Sequence, residues 1–504
     1  MSTRSSISSQ PLDALVRLFT ALNAQGIDYC HWKSNCNLDR SLSGLTDLDM
    51  LVNPEHMERF AATLDRHNVK LILSPLESRY PDMQDYLGFD PDTGGLFHLH
   101  VHYRLVLGEQ FVKNYRLPLE QAFWQSAQLY QGLVKIPCPE LELVVLAIRA
   151  LLKYRDRDVV KDVLSIRSPG LPGHIRREFE YLLERADRAR VSDVLERYVE
   201  FLSPETILEL LDTVANSPRA GRVLYRLRKK LRRELAPYQR HSRWWATRKY
   251  LGVLLRRRFS FLFARRSKTP ATGGVIVAIV GADGAGKSTV VKALLKWLSW
   301  KLTVRRHYMG SQERSFASQL FRLVYLVARK TDRVWSGFVG EKRVLSRITH
   351  RWLGLSRHLY YASTAVDRYR RYKAAKRQAA EGMIVICDRY PLAAIHQAMA
   401  GQPMDGPRIV TPGGDEPDTI TKKLGQWEQN LYQKILPPDH VFALQVSPDV
   451  SLRRKPEHDL DVIEMKSQAL EQIGDHGLPV TIVDADEPFE QVLLNIKTRL
   501  WQLL

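Results

Sequence analysis

Residues 281–289 read Gly-Ala-Asp-Gly-Ala-Gly-Lys-Ser-Thr, and this stretch decides the fold of the carboxy-terminal half of the chain. An apolar run, Val-Ile-Val-Ala-Ile-Val, precedes it at 275–280, and an amphipathic run follows it from 290 to about 300. A strand, a glycine-rich turn and a helix in this order are typical of a phosphate-binding P-loop. The glycines let backbone N–H groups approach an anion, and the helix adds the positive end of its dipole.

Two side chains of the turn point to nucleotide chemistry. Lys287 can reach the β- and γ-phosphates of a nucleotide, and the Ser288 hydroxyl can ligate Mg²⁺. We therefore predict a site for ATP or GTP with Mg²⁺. Its predicted residues are Gly281, Asp283, Gly284, Gly286, Lys287, Ser288 and Thr289.

Further strand patterns follow the turn, with helical patterns between them. They lie at 303–308, 383–387, 441–446 and 480–483. Together with 275–280 they predict an α/β domain over 271–504, with a doubly wound, parallel, five-stranded sheet that binds ligands at the carboxyl ends of its strands. The 383–387 strand runs directly into Asp388 and Arg389, a pair suited to phosphoryl transfer. The carboxylate can orient Mg²⁺, and the guanidinium can neutralise phosphate charge.

These motifs together resemble thymidylate kinase over about 275–485. The resemblance rests on four features of this sequence: the 283–289 loop, Asp367-Arg368 on a predicted helix, Asp388-Arg389-Tyr390 twenty residues later, and Pro438-Asp439 before the fourth strand. A basic run at 453–455 lies where that family has a lid.

The resemblance implies roles for individual residues. Lys287, Arg389 and Arg454 would stabilise the transferred phosphoryl group, and Ser288 and Asp388 would serve Mg²⁺. Asp283 would face the acceptor, and Arg368 would hold the acceptor phosphate. From the residues alone, an intrahelical or surface ion pair is the alternative interpretation of Asp367 and Arg368.

The acceptor side departs from the thymidylate kinase pattern. Residues 391–397 lack the usual nucleobase stretch, and Val462 stands in the lid where the family has Arg. The expected acceptor is therefore a nucleoside monophosphate or a diverged, sugar-like molecule. A diverged kinase-like domain of this kind also resembles proteins of bacterial surface-polysaccharide assembly. The alternative to a kinase is therefore a nucleotide-binding protein with a regulatory or scaffold role in that assembly.

The first domain, predicted over 1–117, carries a second set of carboxylates. Asp47 and Asp49 are two residues apart in a predicted strand, so they project from one face and can hold a divalent metal. His98, His100 and His102 alternate on another strand, which indicates either a metal site or a polar strand face.

This stretch resembles the nucleotidyltransferase superfamily, which would give the domain an α+β fold. Its pattern is a Gly-Ser pair, about a dozen residues, Asp-x-Asp, and a third carboxylate on a later strand. Ser34 lies at the expected distance from Asp47, whereas Lys33 replaces the glycine and His100 stands where an aspartate is expected. Whether this domain is active, inactive or a scaffold is left open.

Residues 118–235 have a helical pattern, including a buried-looking helix at 141–153 and amphipathic helices at 176–190 and 191–202. The basic stretch 219–268 holds eighteen Lys and Arg and one acid, so it contributes most of the net charge of +20. Three interpretations remain: a basic, aromatic linker over 236–270, a segment that binds an anionic membrane surface, and, ranked last, a nucleic-acid contact.

Length and composition set wider bounds. A chain of 504 residues indicates two or three domains. It has no run of 18 apolar residues, no secretory signal pattern and no paired cysteine motif, so we expect a cytoplasmic protein, with peripheral attachment to the inner face of the membrane as an option. A homodimer is also left open.

Overall fold

The structure is a computed structural model, and the chain in it divides into two compact units, Met1–Ser267 and Lys268–Leu504. Two predicted features lie partly outside the described residues: the acceptor stretch from 393 onwards and the lid at 461–463. The described residues are 10–80, 82–108, 112–154, 171–216, 221–258, 268–336, 343–392, 406–409, 419–454, 464 and 477–504.

The second unit is built on a five-stranded sheet in which every neighbouring pair is parallel. Its order is β12-β13-β11-β14-β15, which confirms the predicted five-stranded parallel sheet. The strands of this unit are β10 (Thr269–Pro270), β11 (Val275–Gly281), β12 (Val304–Tyr308), β13 (Ile384–Asp388), β14 (His440–Gln445) and β15 (Val480–Asp484).

Helices accompany these strands along the chain. They are α11 (Lys287–Leu298), α12 (Phe316–Ser336), α13 (Arg343–Ala380), α14 (Thr419–Gln433), α15 (Pro448–Arg454) and α16 (Phe489–Leu503). The central strand β11 is buried along its whole length, as expected for a parallel strand covered on both faces. Helix α11 buries an apolar stripe that includes Val290, Val291 and Leu294, so the helix that begins in the P-loop is anchored by packing.

The first unit contains a mixed sheet in which β1-β2-β5-β4-β3 are neighbours. The β2–β5 pair is parallel, and the other pairs are antiparallel. The strands are β1 (Tyr29–His31), β2 (Leu48–Val52), β3 (Lys70–Leu73), β4 (Met83–Phe89), β5 (Leu96–His102), β6 (Leu105–Leu107), β7 (Tyr115–Leu117), β8 (Gln128–Tyr130) and β9 (Val134–Ile136).

Helices build the rest of the first unit. They are α1 (Asp13–Ala24), α2 (Leu38–Leu42), α3 (Met57–Arg66), α4 (Glu120–Gln125), α5 (Pro139–Lys153), α6 (Gly173–Leu183), α7 (Arg188–Tyr198), α8 (Pro204–Asn216), α9 (Gly221–Glu234) and α10 (Arg243–Arg258). The predicted buried helix corresponds to α5, which is buried on nearly every face and forms the centre of a large apolar cluster. A second cluster packs α1 and α3 against the sheet.

Two expectations for the helical region were wrong in detail. The stretch from 118 contains a β-hairpin, β8–β9, between the short helix α4 and α5, because Gln131 and Gly132 adopt positive φ and reverse the chain. The helix predicted over 176–190 ends at Leu183. A new helix begins at Arg188, because the Asp187 carboxylate accepts a hydrogen bond from the Ala189 N–H and caps it.

Most of the basic stretch that the structure describes is helical, in α9 and α10. Helix α9 belongs to the core of the first unit, and even Arg228 is buried there, with its guanidinium donating to the Tyr154 carbonyl oxygen at 2.7 Å. Helix α10 instead exposes large side chains, among them Trp244 at 70%. The membrane and nucleic-acid interpretations remain predictions. None of the helices that the structure describes combines the length and hydropathy of a membrane-spanning segment.

Replacing Leu294 in α11 tests the packing that anchors the P-loop helix. Leu294 is fully buried, so we expect Leu294→Ala to lower the free energy of unfolding by about 2–5 kcal/mol. Leu320→Ala is the control, because this α12 side chain is 52% exposed and its loss is expected to change stability by about 0.5 kcal/mol or less. Urea unfolding of the full chain measures both, and equal effects would contradict the packing described here.

Candidate functional site

The P-loop adopts a conformation that its glycines make possible. Gly284 and Gly286 have φ of 91° and 86°, in the left-handed region that other residues rarely adopt. At Gly284 a Cβ atom would also lie 3.0 Å from the Ser451 hydroxyl and 3.1 Å from the Ser451 carbonyl oxygen. Ser451 in turn donates a hydrogen bond to the Asp283 carbonyl oxygen at 2.6 Å, so α15 fixes one side of the loop.

Lys287 lies folded into the loop. Its Nζ donates to the carbonyl oxygens of Gly281 at 3.0 Å and Ala282 at 2.6 Å, and it lies 3.9 Å from the Asp283 carboxylate. The side chain is 7% exposed. The ammonium group is therefore held inside the loop that the sequence assigns to phosphates, within reach of an anion bound there.

The carboxyl end of β13 brings Asp388 to the same place. Strand β13 pairs with β11 so that Asp388 lies opposite Ile279, two residues before Gly281. The Ser288 hydroxyl donates to Asp388 Oδ2 at 3.1 Å. The two residues predicted to serve Mg²⁺ are therefore neighbours, although they are a hundred positions apart in the chain.

The arrangement around Asp388 fits a hydrated Mg²⁺ ion. Asp388 is 1% exposed, and its Oδ1 is buried without a hydrogen-bond partner among the described residues. A buried carboxylate oxygen normally has a partner, so this atom has a free coordination position. A carboxylate and a hydroxyl are the oxygen ligands that Mg²⁺ accepts. Arg306 Nη2 lies 3.2 Å from Asp388 Oδ2 and supplies positive charge there in the absence of an ion.

Arg389 has a strained backbone and a specific partner. Its φ of 67° is unusual for a residue with a side chain, and such strain is typical of functional sites. Its Nη2 donates to Asp283 Oδ1 at 2.7 Å. Gly310 leaves room for this side chain, since a Cβ atom there would lie 2.7 Å from Arg389 Cδ. The guanidinium is thereby directed at the P-loop.

The P-loop residues from Asp283 to Thr289 and Arg389 line one cleft of about 530 Å³. Arg454 at the end of α15 belongs to it and donates to the Ala485 carbonyl oxygen at 3.2 Å. Apolar side chains such as Phe489 and Val492 form part of the wall. The cleft therefore combines several cations with an apolar surface, which suits a phosphorylated molecule that also carries a ring.

The predicted Asp367-Arg368 pair does not line that cleft. Asp367 accepts hydrogen bonds from the Ser315 N–H and, at 2.6 Å, from the Ser318 hydroxyl. Burial would raise the pKa of Asp367, but these hydrogen bonds hold it below its ordinary value. Arg368 is 1% exposed and donates to the Met309 carbonyl oxygen and the Tyr432 hydroxyl. Its role with an acceptor phosphate stays a prediction.

Sequence reasoning missed Arg306 as a member of this site. Its only signal was its place near the end of a predicted strand, in a basic stretch. The register of β12 against β13 decides its location, because Tyr308 lies opposite Asp388 and Arg306 is two residues earlier on the same face.

In the first unit the structure brings the predicted acidic and histidine residues together. Strand β2 pairs with β5 so that Asp49 lies opposite His100. His98 Nδ1 lies 3.0 Å from Asp47 Oδ1, and its Nε2 lies 3.1 Å from Asp85 Oδ1. Asp85 on β4 was not predicted. It is a third carboxylate on a later strand, although it lies beside the histidines rather than in place of His100.

Lys33 compensates the charge of Asp49. Its Nζ lies 2.6 Å from Asp49 Oδ1. Burial would raise the pKa of Asp49, but the Lys33 ammonium and the His100 imidazole hold it well below its ordinary value. Burial and the nearby Lys33 charge also lower the pKa of Lys113 to about 7. The departure from the Gly-Ser pattern thus introduces a cation at the acidic strand.

Two helix carboxylates hold the turn that follows β1. The Ser34 N–H donates to Glu178 Oε1, and the Asn35 N–H donates to Glu142 Oε1, both at 3.0 Å. Glu142 is buried, and burial raises its pKa to about 7 in spite of the hydrogen bonds from Asn35. Neither glutamate was singled out from the sequence, because only the packing of α5 and α6 brings them to this turn.

Comparison with known proteins finds relatives described as ATP-binding proteins and as a probable thymidylate kinase. The chain is 27% identical over 222 residues to the uncharacterised ATP-binding protein YghR of Escherichia coli, covering 43% of the chain and 83% of that protein. It is 27% identical over 227 residues to the uncharacterised ATP-binding protein YghS of the same organism, covering 43% and 89%. A probable thymidylate kinase 2 of Saccharolobus solfataricus is 23% identical over 181 residues, covering 36% and 63%. No family model matches the chain.

A solved structure of deoxyadenosine kinase from M. mycoides with bound dATP covers 45% of this chain and 98% of its own, with 15% identity. The TM-score of this pair is 0.26. The sequence relatives support the P-loop kinase resemblance. They do not support the nucleotidyltransferase resemblance of the first domain, which stays a prediction.

The buried Glu142 predicts a specific pH dependence of stability. Its pKa is about 7 in the folded chain and about 4.5 in an unfolded one, so its contribution is fully present below about pH 4.5 and is lost as the pH rises through 7. Relative to Glu142→Gln, the wild-type free energy of unfolding should fall by roughly 3 kcal/mol between pH 4 and 8.

Urea unfolding at a series of pH values measures this difference. The other charged groups that face Glu142 are Glu178 and Arg149, so both must remain unchanged. Glu184→Gln is the control, because this side chain is 75% exposed and its substitution should give a nearly pH-independent difference. A Glu142→Gln curve parallel to wild type would show that the carboxyl group titrates normally.

Proposed function

We propose that the second unit is an ATP- and Mg²⁺-dependent phosphotransferase, similar in its chemistry to nucleotide kinases. The observation that carries the proposal is the convergence of Lys287 and Ser288 with Asp388 and Arg389 at one edge of the parallel sheet. Relatives described as ATP-binding proteins and a probable thymidylate kinase support it.

The reaction is an in-line displacement at the γ-phosphorus of ATP. An acceptor oxygen forms a new O–P bond while the bond to the β,γ-bridging oxygen breaks, ADP leaves, and the acceptor proton passes to solvent. Such a transition state spreads charge over the phosphoryl oxygens and needs little covalent help from the protein. Catalysis then depends on positioning and charge neutralisation.

Each polar side chain at the site has a defined role in the reaction. Nucleotide phosphates occupy the P-loop, and Lys287 exchanges its bonds to the Gly281 and Ala282 carbonyl oxygens for bonds to phosphate. Arg389, directed at the loop by Asp283, and Arg454 neutralise the transferred group. Asp388 and Ser288 would hold Mg²⁺ or its waters, and the ion would supply positive charge that offsets the charge of the nucleotide phosphates.

The acceptor is a nucleoside monophosphate or a sugar-like molecule with a similar outline. The cleft of about 530 Å³ includes Tyr308, Gln312 and Phe489 in its wall. Tyr308 and Phe489 offer ring faces, while Gln312 offers hydrogen bonds that fit either a base or a sugar.

Replacing the P-loop lysine tests nucleotide binding. We expect Lys287→Ala to weaken binding of Mg·ATP by at least about tenfold, because a buried ammonium beside the phosphates contributes more than about 1.4 kcal/mol. Lys292→Ala is the matched control on the same helix, since this side chain is exposed, and its affinity should equal that of wild type. Isothermal titration calorimetry measures both, and unchanged affinity in Lys287→Ala would contradict the proposed site.

Acceptor-dependent ADP formation tests the reaction itself. The purified chain is incubated with Mg·ATP alone and then with dTMP, other nucleoside monophosphates, sugars and sugar phosphates. One class of acceptor should raise ADP release at least tenfold over the chain alone, and Lys287→Ala should abolish the increase. ADP release that no acceptor increases would favour a nucleotide-dependent switch or regulatory module instead.

A further inference from the structure

We propose that the first unit binds a divalent transition-metal ion, of the class that includes Zn²⁺, through Asp49, His100 and His102. We refer to these three residues as the Asp-His-His cluster. One ligand atom from each of them lies within 4.8 Å of the other two. This site is separate from the phosphotransferase cleft, which lies in the second unit.

Backbone pairing arranges the cluster. His100 and His102 are two residues apart on β5, so their side chains share one face, and Asp49 on β2 lies directly opposite His100. His100 Nδ1 lies 3.2 Å from Asp49 Oδ1, and His102 Nε2 lies 3.9 Å from it. Ligand atoms about 2.1 Å from a tetrahedral ion are about 3.4 Å apart, so only small side-chain movements are needed.

His102 supplies an independent indication of a ligand. The side chain is 1% exposed, and neither ring nitrogen has a hydrogen-bond partner among the described residues. An imidazole buried without any partner is costly, because its nitrogens lose water and gain nothing. The ring packs against Trp32 in a T-shaped arrangement, with centroids 5.2 Å apart and an angle of 76° between the ring planes, so packing restricts its orientation. A metal ion at Nε2 would satisfy the nitrogen that faces Asp49.

Lys33 places a positive charge beside the Asp49 carboxylate, where the metal ion would bind. Its ammonium group lies 2.6 Å from Asp49 Oδ1, and this contact uses the same oxygen that faces both histidines. An ion in the cluster therefore displaces Lys33, whose side chain is 18% exposed and can turn towards solvent. Asp49 and His100 are 15% and 25% exposed, so the ion can enter and keep a coordinated water molecule.

The ligand types select the class of metal. Two imidazoles and one carboxylate are typical of Zn²⁺ sites with an open position and of Fe²⁺ sites with a facial triad. Mg²⁺ and Ca²⁺ instead prefer sets made only of oxygen atoms. The presence of histidine at 100 and 102 thus favours a transition metal over Mg²⁺, the ion that we propose for the second unit.

The test is calorimetric titration of Zn²⁺ into the full chain, stripped of metal with a chelator and kept in excess Mg²⁺ to fill oxygen-rich sites. Wild type should bind one Zn²⁺ ion. Asp49→Asn and His100→Ala should each lower the Zn²⁺ affinity by more than 100-fold, whereas loss of a residue that only hydrogen-bonds to a metal ligand costs roughly 10–100-fold. His67→Ala, in the same unit but away from the cluster, is the control and should keep wild-type affinity.

Lys33→Met distinguishes this site from adventitious binding by surface histidines. Removing the competing ammonium should strengthen Zn²⁺ binding at least tenfold, whereas surface sites would not respond. Co²⁺ absorption should show nitrogen ligation that is lost in His100→Ala. Far-UV circular dichroism verifies that each variant is folded. Equal Zn²⁺ affinity in wild type, Asp49→Asn and His100→Ala would overturn the proposal, as would full displacement of Zn²⁺ by Mg²⁺.

Discussion

The parallel pairing of β11 with β13 is the constraint on which the second unit depends. It sets Ile279 opposite Asp388, so the P-loop and the acidic strand end leave the sheet at the same edge. Both strands are buried, which means that a slip in register would break hydrogen bonds and move apolar side chains out of their packing. The contact between Ser288 and Asp388 therefore rests on the whole sheet rather than on the two side chains alone.

Charged groups in both units are positioned before a ligand arrives. In the second unit backbone carbonyls hold Lys287, and Asp283 holds Arg389. In the first unit Lys33 lies on Asp49. A bound ligand then exchanges one polar partner for another, which costs less than taking a charge out of water. This preorganisation is the feature that most enzymes rely on for electrostatic stabilisation of a transition state.

Much of the nucleotide site was predictable, because its signals are local. The glycine spacing before Lys287 indicates a phosphate-binding turn, and the apolar run before Asp388 indicates a buried strand. Both conformations depend mainly on residues that are neighbours in the sequence. Arg306, Glu142 and Glu178 were not predictable, because nothing in their neighbours along the chain indicates their role. Arg306 reaches Asp388 through strand register, and the two glutamates reach the turn after β1 through helix packing.

The parallel five-stranded sheet, the P-loop and the alternation that gives Asp49, His100 and His102 their strand faces could all be predicted from the amino-acid sequence. Those features follow from periodicity and backbone preference, which act over a few residues. The contacts between distant side chains came from tertiary packing: Asp49 lies beside two histidines and Lys33, and Arg368 is buried. Such contacts depend on long-range pairing and packing, where a single residue of register changes every partner.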